Sequence, residues 1–309
     1  MFPRFLLFVP LLFGFGLAHP SHAEEPATAL PVRRVLFFSK SAGFEHSVIK
    51  REGGKPSFVE NLLARVGPER RVEFTFSKDG TIFTPENIAR FDVFVFFTTG
   101  DLTQATGDGN PAMTAEGKAA LLDAIRHGKG FVGTHSASDT FHTAGSAWVN
   151  HAAPLDPFIE MLGGEFISHD QQQKTAVRCA DPKFPGTAAV AGGIDWNEEW
   201  YSLKNFAPDL HVILVQGTAK MEGPAYRRPD YPSTWAHLYG EGRVFYTSLA
   251  HREDTWEKPE FQDLLFGGIR WAAHDAEADL TPNLAQSCPG ANTNPPDPAA
   301  KAAKAEAGH

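Results

Sequence analysis

Four histidines stand where imidazole chemistry is expected: His46, His135, His169 and His251. Near neutral pH imidazole both moves protons and binds divalent ions. His46 closes a Gly-containing loop, Ser41-Ala42-Gly43-Phe44-Glu45-His46, behind one apolar run. His135 and His251 each end another apolar run, and His169 sits beside Asp170 in a polar loop. Together they form a donor set suited to zinc or a similar divalent ion, with one coordination position left for substrate. No HExxH or other tight ligand spacing accompanies them. The same side chains read equally as bases, with His135, His251 and Glu199 as the catalytic candidates. A lone histidine is usually a satisfied, partly buried residue. His127, His142, His151, His211, His237 and His274 are read that way.

Glu198 and Glu199 precede Trp200-Tyr201. Adjacent side chains tend to diverge, so one carboxylate, Glu199 by preference, is expected in the site as base or ligand. A solvated acidic turn is the alternative. Asp101 and Asp139 are expected to contact substrate, although Asp139 could instead orient His135 or cap a helix. Trp200 and Tyr201 could stack on a sugar face, or belong to the core.

The elements that must position these groups follow from periodicity. Arg34–Ser39, Asp92–Phe97 and Gly130–Thr134 are short apolar runs ending in polar loops, the pattern of buried parallel strands. Val72–Phe76 alternates as a further strand. Apolar spacing predicts helices over 57–66, closed by Gly67-Pro68, and from Thr114 to His127. A helix near 155–162, strands at 175–179 and 211–215, and a hairpin turning at Gly240-Glu241 follow. The last helix is expected over 261–271. The order predicts an α/β doubly wound sheet with helices on both faces. In such sheets the ligand crevice lies beyond the carboxyl ends of the strands. Ser41–His46, Thr98–Asp101 and Thr134–Asp139 all lie there.

Composition bounds the rest. The 309 residues carry 42% hydrophobic and 21% charged side chains, enough to build a sizeable core. The net charge of −9 and the lack of basic runs argue against nucleic acid as a partner. Positions 1–23 read as an export signal: Arg4, an apolar run over 5–17, and Ser21-His22-Ala23 as the cleavage site. An uncleaved anchor is the alternative reading of that run, and no later segment is long and apolar enough to span a membrane. A linker over 24–32, a domain over 33–275 and a disordered tail over 276–309 complete the expected organisation. Cys179 and Cys288 could pair in an exported protein, and neither has the surroundings of a catalytic thiol. No GxGxxG follows a predicted strand, which argues against a dehydrogenase.

Several of these segments together resemble the ThuA-like family, named for trehalose utilisation. They are Gly43-Phe44-Glu45-His46-Ser47, Thr98-Thr99-Gly100-Asp101, the run 130–140 from Gly130 through Thr134-His135-Ser136 to Thr140, and Leu162-Gly163-Gly164 with His169. Glu198–Tyr201, the run 242–251 and Gly267-Gly268-Ile269-Arg270-Trp271-Ala272 continue the match. It spans about 33 to 273. The resemblance implies a flavodoxin-like fold of the class I glutamine amidotransferase type. In amidotransferases a cysteine occupies a sharp strand-to-helix turn. The corresponding turn here, Gly133-Thr134-His135-Ser136-Ala137, has none, so thiol-based amide transfer is excluded. Ser136 lacks the flanking glycines of a nucleophile elbow, which leaves a serine hydrolase a minor reading. The family further implies carbohydrate catabolism and 3-keto sugars. The expectation is an exported enzyme cleaving such glycosides by base-catalysed, metal-assisted elimination and hydration. The alternative is a non-catalytic sugar- or partner-binding module. Neither the sugar nor the oligomeric state is legible.

Overall fold

Strand β1 (Arg33–Phe38) shows how the fold is built. Its side chains alternate, so Val35 and Phe37 enter one apolar layer and Leu36 and Phe38 the other. A strand buried on both faces needs helices on both, and it receives them. The structure, a computed structural model, describes residues 1, 30–105, 107–151 and 154–298. The chain divides into Met1–Leu30 and Pro31–His309, and all the elements below lie in the second unit. The expected signal over 1–23, Met1 aside, and most of the linker over 24–32 lie outside the described residues.

After β1 come α1 (Phe58–Val66), β2 (Val72–Ser77), the short α2 (Pro85–Ile88) and β3 (Val93–Phe96). Then follow α3 (Ala115–Arg126), β4 (Gly130–Thr134) and α4 (Pro157–Leu162). The middle of the chain supplies β5 (Glu165–Ser168), β6 (Gln173–Cys179), β7 (Ile194–Glu198), β8 (Ser202–Lys204) and β9 (His211–Gln216). The hairpin β10 (Tyr231–Tyr239) and β11 (Gly242–Thr247) precedes α5 (Glu253–Glu257), α6 (Pro259–Ala272) and α7 (Leu284–Ser287). Local signals set the helix starts. Ser57 caps α1 in a reciprocal box with Glu60, and Thr114 caps α3 through the Gly117 amide.

The nine-stranded sheet runs β2-β1-β3-β4-β11-β10-β9-β6-β7, with β5 and β8 paired separately. The first five strands are parallel. Their order is the flavodoxin-like 2-1-3-4-5 pattern, in which the chain reverses direction across the sheet between β1 and β3. From β11 onward the pairs are antiparallel, which extends the sheet well past its doubly wound half. Helices α1, α5 and α6 pack on one face and α3 and α4 on the other, each over its own apolar layer. Among the described residues no helix is long and apolar enough to cross a membrane.

Two expectations are corrected. The described part of the tail, 276–298, is not structureless but packs on the domain. The Asn283 side chain accepts from the Val212 amide at 2.6 Å and donates to the Val212 carbonyl, and the buried Arg228 donates to the Ala291 carbonyl at 2.5 Å. Single polar side chains make these bonds, so no apolar period announces them. Cys179 and Cys288 are both free thiols.

Candidate functional site

The carboxyl ends of β1, β4 and β11 bring His46, His135 and His251 together, and the turn after β7 adds Glu199. Glu199 Oε2 lies 3.2 Å from His251 Nδ1, 3.4 Å from His135 Nε2 and 3.8 Å from His46 Nε2. His251 Nδ1 is also 3.2 Å from His135 Nε2. One ligand atom from each of the four residues lies within 4.8 Å of the others.

The backbone works to achieve this. His135 adopts φ +42°, a left-handed conformation uncommon for a residue with a Cβ. It occupies the strand-to-helix turn after β4. The turn is held by Tyr246, whose hydroxyl donates to the His135 carbonyl at 2.7 Å. The next residue, Ser136, is buried with its hydroxyl unpartnered. Ala250, just before His251, has φ +99°. Its amide donates to Glu198 at 3.3 Å and its carbonyl accepts from the Trp256 indole at 2.8 Å. Strain of this kind persists only where the surroundings over-determine it. The His46 loop is tied down through Thr99. Its carbonyl accepts from the Ala42 and Gly43 amides, and its hydroxyl donates to the Phe44 carbonyl. Gly100 makes that approach possible: at φ +72°, a Cβ there would come within 2.7 Å of the Gly43 nitrogen.

Hydrogen bonds decide the proton positions. His135 Nδ1 is 2.9 Å from the Ser248 carbonyl, which only accepts, so Nδ1 carries the proton and Nε2 presents a lone pair to the cluster. Burial pushes His135 down to about 3, and lowers His46 as well. Both imidazoles are therefore neutral. Burial alone would raise Glu199, but the imidazoles packed around it outweigh burial and hold the carboxyl well below its usual range. Two acceptors, His135 Nε2 and Glu199 Oε2, thus face each other at 3.4 Å. His251 Nδ1 lies 3.2 Å from both, and the same two lone pairs would suit a cation. A tetrahedral ion with bonds of about 2.1 Å spaces its ligands by about 3.4 Å, and the separations of 3.2–3.8 Å from Glu199 Oε2 to the three imidazoles bracket that figure. His251 Nε2 faces the Gln172 side-chain amide at 2.9 Å, which places its proton on Nδ1. Were His251 to ligate through Nδ1, its proton would sit on Nε2 and the Gln172 side chain, now bonded to Arg252 at 2.7 Å, would have to offer its oxygen there. The donor set fits a divalent ion.

The other expected residues divide. His169 stands outside the four-ligand set, with Nδ1 3.5 Å from Glu199 Oε1 and 3.1 Å from the Asp170 carbonyl. Tyr201 is a buried wall rather than an open platform. Its ring lies 4.3 Å from His135 and 4.2 Å from Phe166, and its hydroxyl 3.5 Å from His46 Nε2. Trp200 is wholly buried and its indole donates to the Gln173 carbonyl, so it belongs to the core and offers no face to a ligand. Asp101 closes a local turn through Thr103 and Gln104, and none of its hydrogen bonds reaches the cluster. Of the two glutamates, Glu199 enters the cluster. Glu198 is buried behind it, pushed up to about 7 by burial, and braces Ala250.

Asp139 lies near enough to raise His46 electrostatically, and it bonds His142 at 2.6 Å. His142, read from sequence as ordinary, is held between Asp139 and Glu165. Burial would lower it, but the two carboxylates raise it to about 9. Gln172 was also passed over. The polar run 169–173 was its only signal, since its partner His251 lies far along the chain.

The model of the ThuA family, described as trehalose utilisation, matches residues 34–272. A ThuA-like protein from Bacteroides uniformis superposes over 82% of this chain and 95% of its own, with TM-score 0.57 and 16% identity. One from Parabacteroides merdae covers 81% of this chain and 92% of its own, with TM-score 0.53 and 18% identity. At such identities these structures show a common fold and no more. No curated protein matches the chain. With the family model spanning most of its length, the chain belongs to the ThuA family.

Proposed function

We propose that the protein is an exported enzyme of carbohydrate catabolism that cleaves glycosides carrying a 3-keto group, by elimination followed by hydration. Four chemically active side chains on strand ends, two of them behind strained backbone, support a reacting centre rather than a passive binding face. The family's description supports sugar as the substrate class. The export part rests on the apolar N-terminal run alone.

The chemistry suits a site without a nucleophilic thiol. A 3-keto group acidifies the proton at C2. A base takes that proton, and the C–H electron pair becomes the enolate. The enolate pair then expels the glycosidic oxygen from C1 as the C1–C2 double bond forms, and the leaving oxygen takes up a proton. Water adds at C1 and C2 is reprotonated, which gives two free sugars. His46, His135, Glu199 and His251 would hold a divalent ion, which when bound supplies Lewis acidity toward oxygen that gains negative charge. The chain's own part is to keep His135 and His46 neutral and Glu199 ionised, and to fix their lone pairs toward one point.

The test is incubation of the purified protein with 3-keto-trehalose or a 3-keto-glucoside, with zinc or manganese added or with chelator. Release of the aglycone sugar that chelator abolishes is expected. Binding without cleavage under every metal condition would overturn the enzyme reading and leave a sugar-binding module.

A further inference from the structure

We infer that His169, and not one of the three clustered histidines, is the base that takes the substrate proton. This rests on the function proposed above and assigns a role within it. The reaction needs an imidazole lone pair that substrate can reach, and the cluster has none to spare. His135 is fully buried with Nε2 turned inward, and the His46 side chain is 3% exposed. The His251 side chain is 16% exposed, with Nδ1 directed at Glu199 and Nε2 covered by Gln172. His142 is exposed, but both its ring nitrogens are bonded to carboxylates.

His169 differs on each count. It lies on the loop between β5 and β6, and its side chain is 40% exposed. Its Nδ1 faces only acceptors, the Asp170 carbonyl at 3.1 Å and Glu199 Oε1 at 3.5 Å. The proton of the neutral ring is therefore on Nδ1, and the free lone pair is on the opposite nitrogen, Nε2. The ring plane is fixed as well, stacked on Tyr201 at 5.7 Å between centroids and 10° between planes. The loop is anchored by Asp170, whose amide donates to the Tyr226 hydroxyl and whose carboxylate accepts from the Ala225 amide. Glu199 Oε2 faces the buried histidines, and its Oε1 lies 3.5 Å from the exposed one. The Asp170 carbonyl accepts the His169 Nδ1 proton, and a fixed tautomer is the ordering a general base requires. Proton transfer from C2 to His169 Nε2 gives an imidazolium whose new charge lies beside Glu199, and the same proton then serves the leaving oxygen.

Exchange at C2 separates the base from the rest of the machinery. Wild type, H169N and H169A are incubated with a 3-keto-glucoside in heavy water, and proton NMR follows both loss of the C2 signal and cleavage. Zinc affinity is measured in parallel. Asn keeps a donor in the place of Nδ1–H but offers no base. H169N is expected to lose at least about 100-fold in C2 exchange, the usual share of general-base catalysis, with zinc affinity within about threefold of wild type. Free imidazole is expected to restore exchange in H169A. H169N exchanging within about threefold of wild type would overturn the assignment alone. So would a loss of exchange matched by an equal loss of zinc affinity, since that marks a structural role. A wild type that neither exchanges nor cleaves overturns the proposed function and this assignment together.

Discussion

Replacing Glu199 by Gln tests the centre at its anionic member. Gln is nearly isosteric, so the four-residue geometry survives while the charge goes. Glu199 Oε2 is the atom common to three of the close contacts, at 3.2, 3.4 and 3.8 Å. It also supplies the only negative charge in the ligand set, since the other members are imidazoles. Loss of a partner one shell further out typically costs 10–100-fold in metal affinity, so loss of this ligand should cost about 100-fold or more. At 1.36 kcal/mol per decade that is about 2.7 kcal/mol. The assay is competition for zinc against a chromophoric chelator, with wild type, E199Q and E198Q side by side. Glu198 is buried behind the cluster but is not one of the four ligands, so E198Q is expected to stay within about threefold of wild type. Equal affinities for wild type and E199Q would refute the proposal that these residues form a metal site. Equal losses in E199Q and E198Q would show that folding, and not ligation, is being measured.

The His142 imidazole is raised to about 9 from an ordinary 6.5, so its contribution to stability is complete below about pH 6.5 and is lost as pH rises through 9. With the side chain 39% exposed, solvent screening reduces that contribution to about 1 kcal/mol. Thermal unfolding should therefore separate wild type from H142Q by about 2–4 °C at pH 6 and not at pH 10, and a gap that persists at pH 10 would contradict the ion-pair account. Gly100→Ala places a Cβ within 2.7 Å of backbone at φ +72° and should cost about 2–4 kcal/mol in denaturant unfolding. Stability within about 0.5 kcal/mol of wild type would refute the tight approach of the two loops. Thiol titration should find two free cysteines in the unfolded chain. In the native protein Cys288 should resist reagent, because it is buried and pushed up to about 12. A single bridged pair would refute the free-thiol assignment.

Much of this architecture was legible in the sequence, because it is written in local patterns. The apolar runs that became β1, β3 and β4 need only their own composition to be recognised, and the caps at Ser57 and Thr114 need only three residues of context. His46, His135 and His251 were legible because each follows a strand, and in a doubly wound sheet parallel strands deliver their carboxyl ends to one crevice. Separations along the sequence did not decide their meeting. Strand order did.

Only the tertiary structure settled the rest. Glu199 follows the far edge strand β7, and the fold alone carries its turn back across to β4 and β11. The choice between Glu198 and Glu199 depends on which carboxylate meets the histidines and which braces Ala250. The roles of the histidines likewise depend on burial and on distant carbonyls. The Ser248 carbonyl turns the His135 lone pair inward, and the Asp170 carbonyl occupies Nδ1 of the more exposed His169. A histidine's type and position show that it can bind an ion or move a proton. Which of the two it does is set by what each ring nitrogen touches, and that is a property of the folded chain.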